Sequence, residues 1–176
     1  MLYLNLYFTY DWEAKMEIEM KIKGLIVDPI SNMPIVVLKD INSNKILPIW
    51  IGVFEANAIA LQIEKIPTPR PMTHDLIKNI FNTFGIVIQK VVVNQIKDNT
   101  FYALIYCKYK DEIFTLDSRP SDAIAIALRV NAPIYVTEEV MEKAHSLDID
   151  ENLEDSEKLQ KWLEKLKPED LGKYKM

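Results

Sequence analysis

The chain has 176 residues, of which 49% are apolar and 27% charged, with a formal net charge of -5. That apolar fraction can fill one domain of ordinary size and excludes disorder along the whole length, while no uncharged run approaches the roughly 20 residues needed to span a bilayer. A single cysteine, Cys107, excludes an internal disulfide framework and a thiolate zinc site, and the expected location is cytoplasmic.

Residues 1–15, MLYLNLYFTYDWEAK, are aromatic, join no clear period and lack the basic start and cleavage site of a signal peptide; they read as an N-terminal extension. From Met16, Ile18, Met20 and Ile22 alternate with Glu17, Glu19, Lys21 and Lys23, which predicts a half-buried strand. Gly24 to Asp40 reads as strand, turn, strand, with the turn at Ser31-Asn32. Ile46 to Ile63 supplies a third strand and an apolar helix with alanines at 56, 58 and 60, and Thr73 reads as the N-cap of a second helix.

The same succession returns 67 residues later. Val91 to Cys107 turns at Asp98-Asn99, Ile113 to Val130 carries alanines at 123, 125 and 127, and Thr137 precedes another acidic first turn. Seven identities over 40 ungapped positions suggest a duplicated β-β-β-α-α unit, with repeats at about 18–84 and 86–146. The expected fold is therefore one α+β domain over residues 16–146, mostly antiparallel, with helices packed on the sheet. Its strand edges need cover, which favours a homo-oligomer, a dimer or trimer.

Residues 147–176 begin as an acidic linker. Between Ser156 and Lys167, Leu159, Trp162, Leu163 and Leu166 then fall on one side of an amphipathic helix stopped by Pro168. That stripe can dock on the body or take a protein partner.

Charge is divided unevenly. Residues 137–176 hold 12 acids and 7 lysines, whereas residues 1–136 hold 14 of each sign. A neutral body offers no broad cationic surface, so any phosphate recognition must come from a few focused positions. Only three of the 21 basic residues are arginines, Arg70, Arg119 and Arg129, each a planar donor in a lysine-rich chain.

No glycine-rich nucleotide loop, Walker lysine, His-Glu-x-x-His or GxSxG motif is present, so no organic cofactor is expected. Two polar clusters stand at predicted helix starts, PRPMTHDL (69–76) and DSRPSDA (117–123), each with Arg-Pro beside acids and hydroxyls. Helix N-termini present unpaired N–H groups and partial positive charge, so Arg70, Thr73, Ser118, Arg119 and Ser121 are candidate phosphate ligands. At the 67-residue offset Glu55 aligns with Asp122; with Asp117 they are candidate ligands for a divalent cation such as Mg or Mn. His74, Asp75, Asp117 and Asp122 are the candidates for proton transfer and water activation. Arg119 with Asp117 or Asp122 is equally a way to tie a helix start to a strand end, and Ser118 and Ser121 read more readily as caps than as nucleophiles. Trp50 and Phe54 read as core rather than as base-stacking platforms.

The ordered run DPISNMPIVVLKD, LPIWIGVFEANAIA, PRPMTHDL, KDNTFYA and LDSRPSDAIAIALR resembles the bifunctional nuclease domain family of bacteria and plants. The resemblance covers roughly Ile18 to Val140. It implies a compact α+β domain that hydrolyses RNA and DNA with little sequence preference. The family's recurrent polar positions would fall on Glu55, Arg70, Thr73, His74, Asp75, Asp117, Ser118, Arg119, Ser121 and Asp122. The competing expectation is a non-catalytic module that binds nucleic acid or protein and uses these clusters to lock its halves together.

Overall fold

In the computed structural model, residues 16–144 and 147–148 are described. The expected N-terminal extension (1–15) and amphipathic C-terminal helix lie outside them. Of the expected acidic linker only Leu147 and Asp148 are described, and they form a short strand.

The first half is a meander of β1 (Glu17–Val27), β2 (Pro34–Asp40) and β3 (Lys45–Trp50), followed by α1 (Val53–Ile63) and α2 (Thr73–Phe84). The second half repeats the meander as β4 (Ile86–Lys97), β5 (Thr100–Tyr109) and β6 (Glu112–Ser118), followed by α3 (Pro120–Val130). It then departs from the expected unit, because strand β7 (Ile134–Thr137) stands between α3 and α4 (Glu138–Lys143). With β8 (Leu147–Asp148) the strands form one mixed sheet in the order β6-β5-β4-β7-β1-β2-β3-β8.

β7 explains why there is one sheet rather than two. It runs parallel to β4, pairing Val91 with Ile134, and antiparallel to β1, pairing Met20 with Ile134, and so bridges the two meanders. Four residues suffice, and IYVT is rich in the β-branched and aromatic types that suit a pleated surface.

Local sequence accounts for the turns. β4 and β5 are joined by two residues, Asp98 (φ 49°) and Asn99 (φ 58°), both left-handed as the twist of a two-residue hairpin demands. In the β1–β2 loop the Asp28 carboxylate accepts from the Ile30 N–H at 3.0 Å, from the Ser31 hydroxyl, and from Trp50 Nε1 at 3.3 Å. Gly85 (φ 71°) ends α2 in the left-handed conformation and lets β4 begin at the next residue.

All four helices contribute to one apolar core with Met20, Val36, Leu38, Val91, Val93, Ile105 and Val136 of the sheet. α3 lies deepest, with Ala123, Ile124, Ala125, Ile126 and Ala127 all buried. Its small residues allow α1 and α2 to approach closely, and so fix where their first turns point. α2 turns Ile77 and Phe81 to this core and leaves Leu76, Ile80 and Phe84 exposed.

Candidate active site

Three helix starts deliver the polar cluster. Glu55 stands in the first turn of α1, His74 in the first turn of α2, and Asp122 in the first turn of α3, for which Arg119 is the N-cap. Pro120 at the first helical position of α3 has no N–H to satisfy and fixes the chain direction after β6. The side chains form a continuous chain of contacts. His74 Nε2 lies 3.0 Å from Asp122 Oδ1, and Arg119 donates from Nε to Asp122 Oδ2 at 2.7 Å and from Nη2 to Oδ1 at 3.2 Å. Arg119 Nη1 donates to Glu55 Oε1 at 2.8 Å.

Asp122 is the hub. The hydrogen bond from His74, opposed by burial and reinforced by the Arg119 guanidinium, holds its carboxyl down to about 2. It is therefore ionised at neutral pH and can only accept, which requires the proton on His74 Nε2 and leaves Nδ1 with the lone pair of the neutral ring. The same hydrogen bonding to Asp122 fixes Arg119 still more firmly in its charged form.

These groups line an open cleft of about 830 Å³ together with Thr73, Ser118, Leu116, Ile77 and Phe54. Contrary to the expectation of a core position, Phe54 is 88% exposed. It occupies the second helical position of α1, where the helix faces the cleft instead of the sheet. Trp50, also expected in the core, is half-buried at the end of β3.

Other candidates lie elsewhere. Asp75 uses one oxygen to accept from the Met72 N–H at 2.9 Å and the other from Arg129 Nε at 2.7 Å. Burial would raise its pKa, but these two donors outweigh it and the pKa is lowered. Arg129, whose side chain is 1% exposed, also donates to the carbonyls of Ala58 at 3.1 Å and Ala125 at 2.8 Å, tying α1, α2 and α3 together. Met72, not Thr73, is the N-cap of α2, and the Asp75 carboxylate at the third helical position reaches back to accept from the Met72 N–H. Thr137 is the N-cap of α4, but without a side-chain cap bond. Thr73 is exposed on the cleft wall. Ser118 donates to the Arg119 carbonyl at 2.9 Å, Ser121 is buried away from the cleft, and Arg70 is exposed and does not line it.

Asp117 borders the cleft but is out of phase with it. It pairs with Leu104, whereas Ile105 pairs with Leu116 and Ala103 with Ser118, so strand alternation assigns Asp117 to the sheet face opposite Leu116. This bears on the expected divalent cation. Both oxygens of Asp122 and one of Glu55 already receive charged or ring N–H donors, and among the described residues no three acid, histidine or cysteine side chains converge on a common point. The donor set does not fit a preformed cation site, because the guanidinium holds the position between the carboxylates.

Sequence reading assigns Phe54 to the core and does not mark Gly52. Phe54 was legible only as one apolar residue in an apolar run. Gly52, the N-cap of α1, had a weak signal in its alignment with Arg119 at the 67-residue offset.

An α+β sheet with a polar cleft at three helix starts defines the class of protein, and comparison with known sequences gives the family. The chain matches the bifunctional nuclease domain over residues 36–148 and belongs to that family. A protein of Mycobacterium tuberculosis described as uncharacterized is 38% identical over 162 residues, which cover 86% of this chain and 96% of that protein. Bifunctional nuclease 2 of Oryza sativa subsp. japonica is 31% identical over 118 residues, 65% of this chain and 36% of the rice protein. Bifunctional nuclease 1 of the same plant is 26% identical over 116 residues, covering 64% and 35% respectively. No helix among the described residues is long and apolar enough to cross a membrane.

Proposed function

We propose that the cleft binds and hydrolyses phosphodiester bonds of RNA and DNA. The observation that carries this reading is the His74–Asp122–Arg119 chain on an open cleft of about 830 Å³. Arg119 receives a non-bridging phosphate oxygen and stabilises the charge that develops on it. Asp122 orients the His74 ring through Nε2–H and stabilises the imidazolium, and Nδ1 takes or gives the proton of the attacking or leaving oxygen. Phe54 offers a ring face on which a base of a single strand can stack. Asp75 acts one step back, holding the first turn of α2 against Arg129.

The test is cleavage of labelled single-stranded RNA and DNA by purified wild type, His74→Ala and Arg119→Ala, with each variant's fold checked by circular dichroism. Loss of about 100-fold or more in kcat/KM is expected for each folded variant, by analogy with removal of a charge-stabilising donor. Cleavage by Arg119→Ala at the wild-type rate overturns the assignment.

A non-catalytic binding module is the second reading. One observation favours it: the carboxylates of Glu55 and Asp122 outnumber the one guanidinium, Arg119, in the cleft. Binding of oligonucleotide by wild type with no turnover selects it.

A further inference from the structure

Arg119 makes two different kinds of contact. Toward Asp122 it is bidentate, Nε to Oδ2 at 2.7 Å and Nη2 to Oδ1 at 3.2 Å, and Asp122 is itself held by His74. That grip orients the guanidinium plane. Toward Glu55 it has the single Nη1–Oε1 bond at 2.8 Å. The arginine side chain is 54% exposed, so Nη1 is the donor an arriving anion can reach with least disturbance.

Glu55 is held in place by what its neighbour lacks. Its carboxylate folds back over the α1 N-cap, and a Cβ on Gly52 would fall on Oε2 and lie 3.1 Å from Cδ. The Gly52 backbone, at φ -72° and ψ 160°, is one that any residue adopts, so the glycine is not required for conformation. Its missing side chain is the space that the carboxylate fills.

From this geometry we infer that Glu55 is an internal stand-in for substrate phosphate, a carboxylate parked on Arg119 Nη1 that the incoming phosphodiester displaces. The inference rests on reading Arg119 as the phosphate ligand. It follows that the resting cleft binds small anions more weakly than a free guanidinium would. A phosphate oxygen approaching Nη1 meets a guanidinium whose charge a tethered carboxylate already offsets, and a ligand that gains further contacts, such as a base on Phe54, displaces it more efficiently. Asp122 stays in place during the exchange and keeps both Arg119 and His74 aligned. Glu55 thus serves selectivity rather than cation binding.

Two substitutions release the same donor by different routes. Glu55→Gln removes the charge, whereas Gly52→Ala leaves Glu55 intact and pushes its carboxylate out of its seat. Titration of the full chain with inorganic phosphate, followed by calorimetry and by the Arg119 side-chain NMR signal, should show affinity about two- to fivefold tighter in both variants than in wild type, the scale set by removing one exposed competing charged contact. The double variant Glu55→Gln/Arg119→Ala should lose the gain. Thermal melts close to wild type show that the effect is local. If neither single variant binds phosphate more tightly than wild type, or if the double variant keeps the gain, the inference is overturned. The nuclease reading fails separately. Tighter phosphate binding in both variants without RNA cleavage by any form supports the exchange and removes the hydrolase.

Discussion

Arg129 is the perturbation that best tests how the fold supports the site. Its guanidinium is almost wholly enclosed and makes three contacts, to the Asp75 carboxylate and to carbonyls of α1 and α3. Replacement by methionine retains most of the packing volume but removes the charge and leaves Asp75 without its cation. Truncating one partner of a buried pair costs about 3 to 5 kcal/mol. The lower end applies here because Asp75 is 24% exposed and keeps the Met72 N–H, and because both carbonyls belong to helices that also use them as backbone acceptors. A loss of about 3 kcal/mol corresponds to a fall in Tm of about 6 to 12 °C for a chain of this size. Thermal melting by circular dichroism, paired with urea unfolding, measures it. Adding Asp75→Asn should recover part of the loss, because the second substitution removes the uncompensated charge. A fall of less than about 2 °C for Arg129→Met alone would show that the three helices are held together by apolar packing and that the tie is incidental.

Acid sensitivity tests the electrostatic hub. The Asp122 carboxyl lies near 2 in the folded protein against a reference of 3.8, so its contribution is fully present above the reference value and is lost as pH falls from about 5 toward 2. The difference amounts to about 2 kcal/mol, and Asp122→Asn should lose that much less than wild type between urea midpoints measured at pH 6 and pH 2.5. Equal losses in the two proteins would place the acid lability elsewhere. Phe54→Ala should weaken binding of a single-stranded oligonucleotide by about 1 to 3 kcal/mol in fluorescence anisotropy, with Phe54→Trp close to wild type and duplex binding little affected. Equal weakening on single strand and duplex would assign the ring a packing role.

The fold was legible in the sequence wherever one residue's chemistry decides local geometry. Alternation of Ile18, Met20 and Ile22 against charged residues marks β1, and Asp98-Asn99 marks a hairpin because few other pairs tolerate two left-handed positions. β7 was not legible. Its four residues, only three of them apolar or aromatic, follow a helix after three intervening residues, and their pairing with β1 and β4 is settled by residues more than forty positions away. The site shows the same division. His74, Arg119 and Asp122 stand out as types placed at helix starts, and Glu55 through alignment with Asp122. Asp117 looks equivalent to them in sequence, yet strand alternation assigns it to the other sheet face. Thr73 looks like a cap because threonine commonly is one, but the helix begins at Thr73 itself, with Met72 as the N-cap and Asp75 reaching back to the Met72 N–H. Phe54 could not be separated from the core run around it, because exposure at the start of α1 depends on where α1 docks against α3.

The charge pattern leads to a further expectation for nucleic-acid binding. Arg119 is the one lysine or arginine among the described residues that line the cleft, so a single strand bound there releases about one or two counterions. For single strands the slope of log K against log salt is about -0.7 for each neutralised phosphate, and raising salt from about 50 to 200 mM should weaken binding only about three- to sevenfold. A protein that binds through a basic face loses about 1,000-fold or more over the same interval. Anisotropy titrations of a short single-stranded oligonucleotide at several salt concentrations distinguish the two cases. A shallow slope that Arg119→Ala flattens further agrees with recognition at one guanidinium helped by stacking. A steep slope insensitive to Arg119→Ala would move the interface out of the cleft and onto the lysines of the sheet and loops, and with it the chemistry argued for His74 and Asp122.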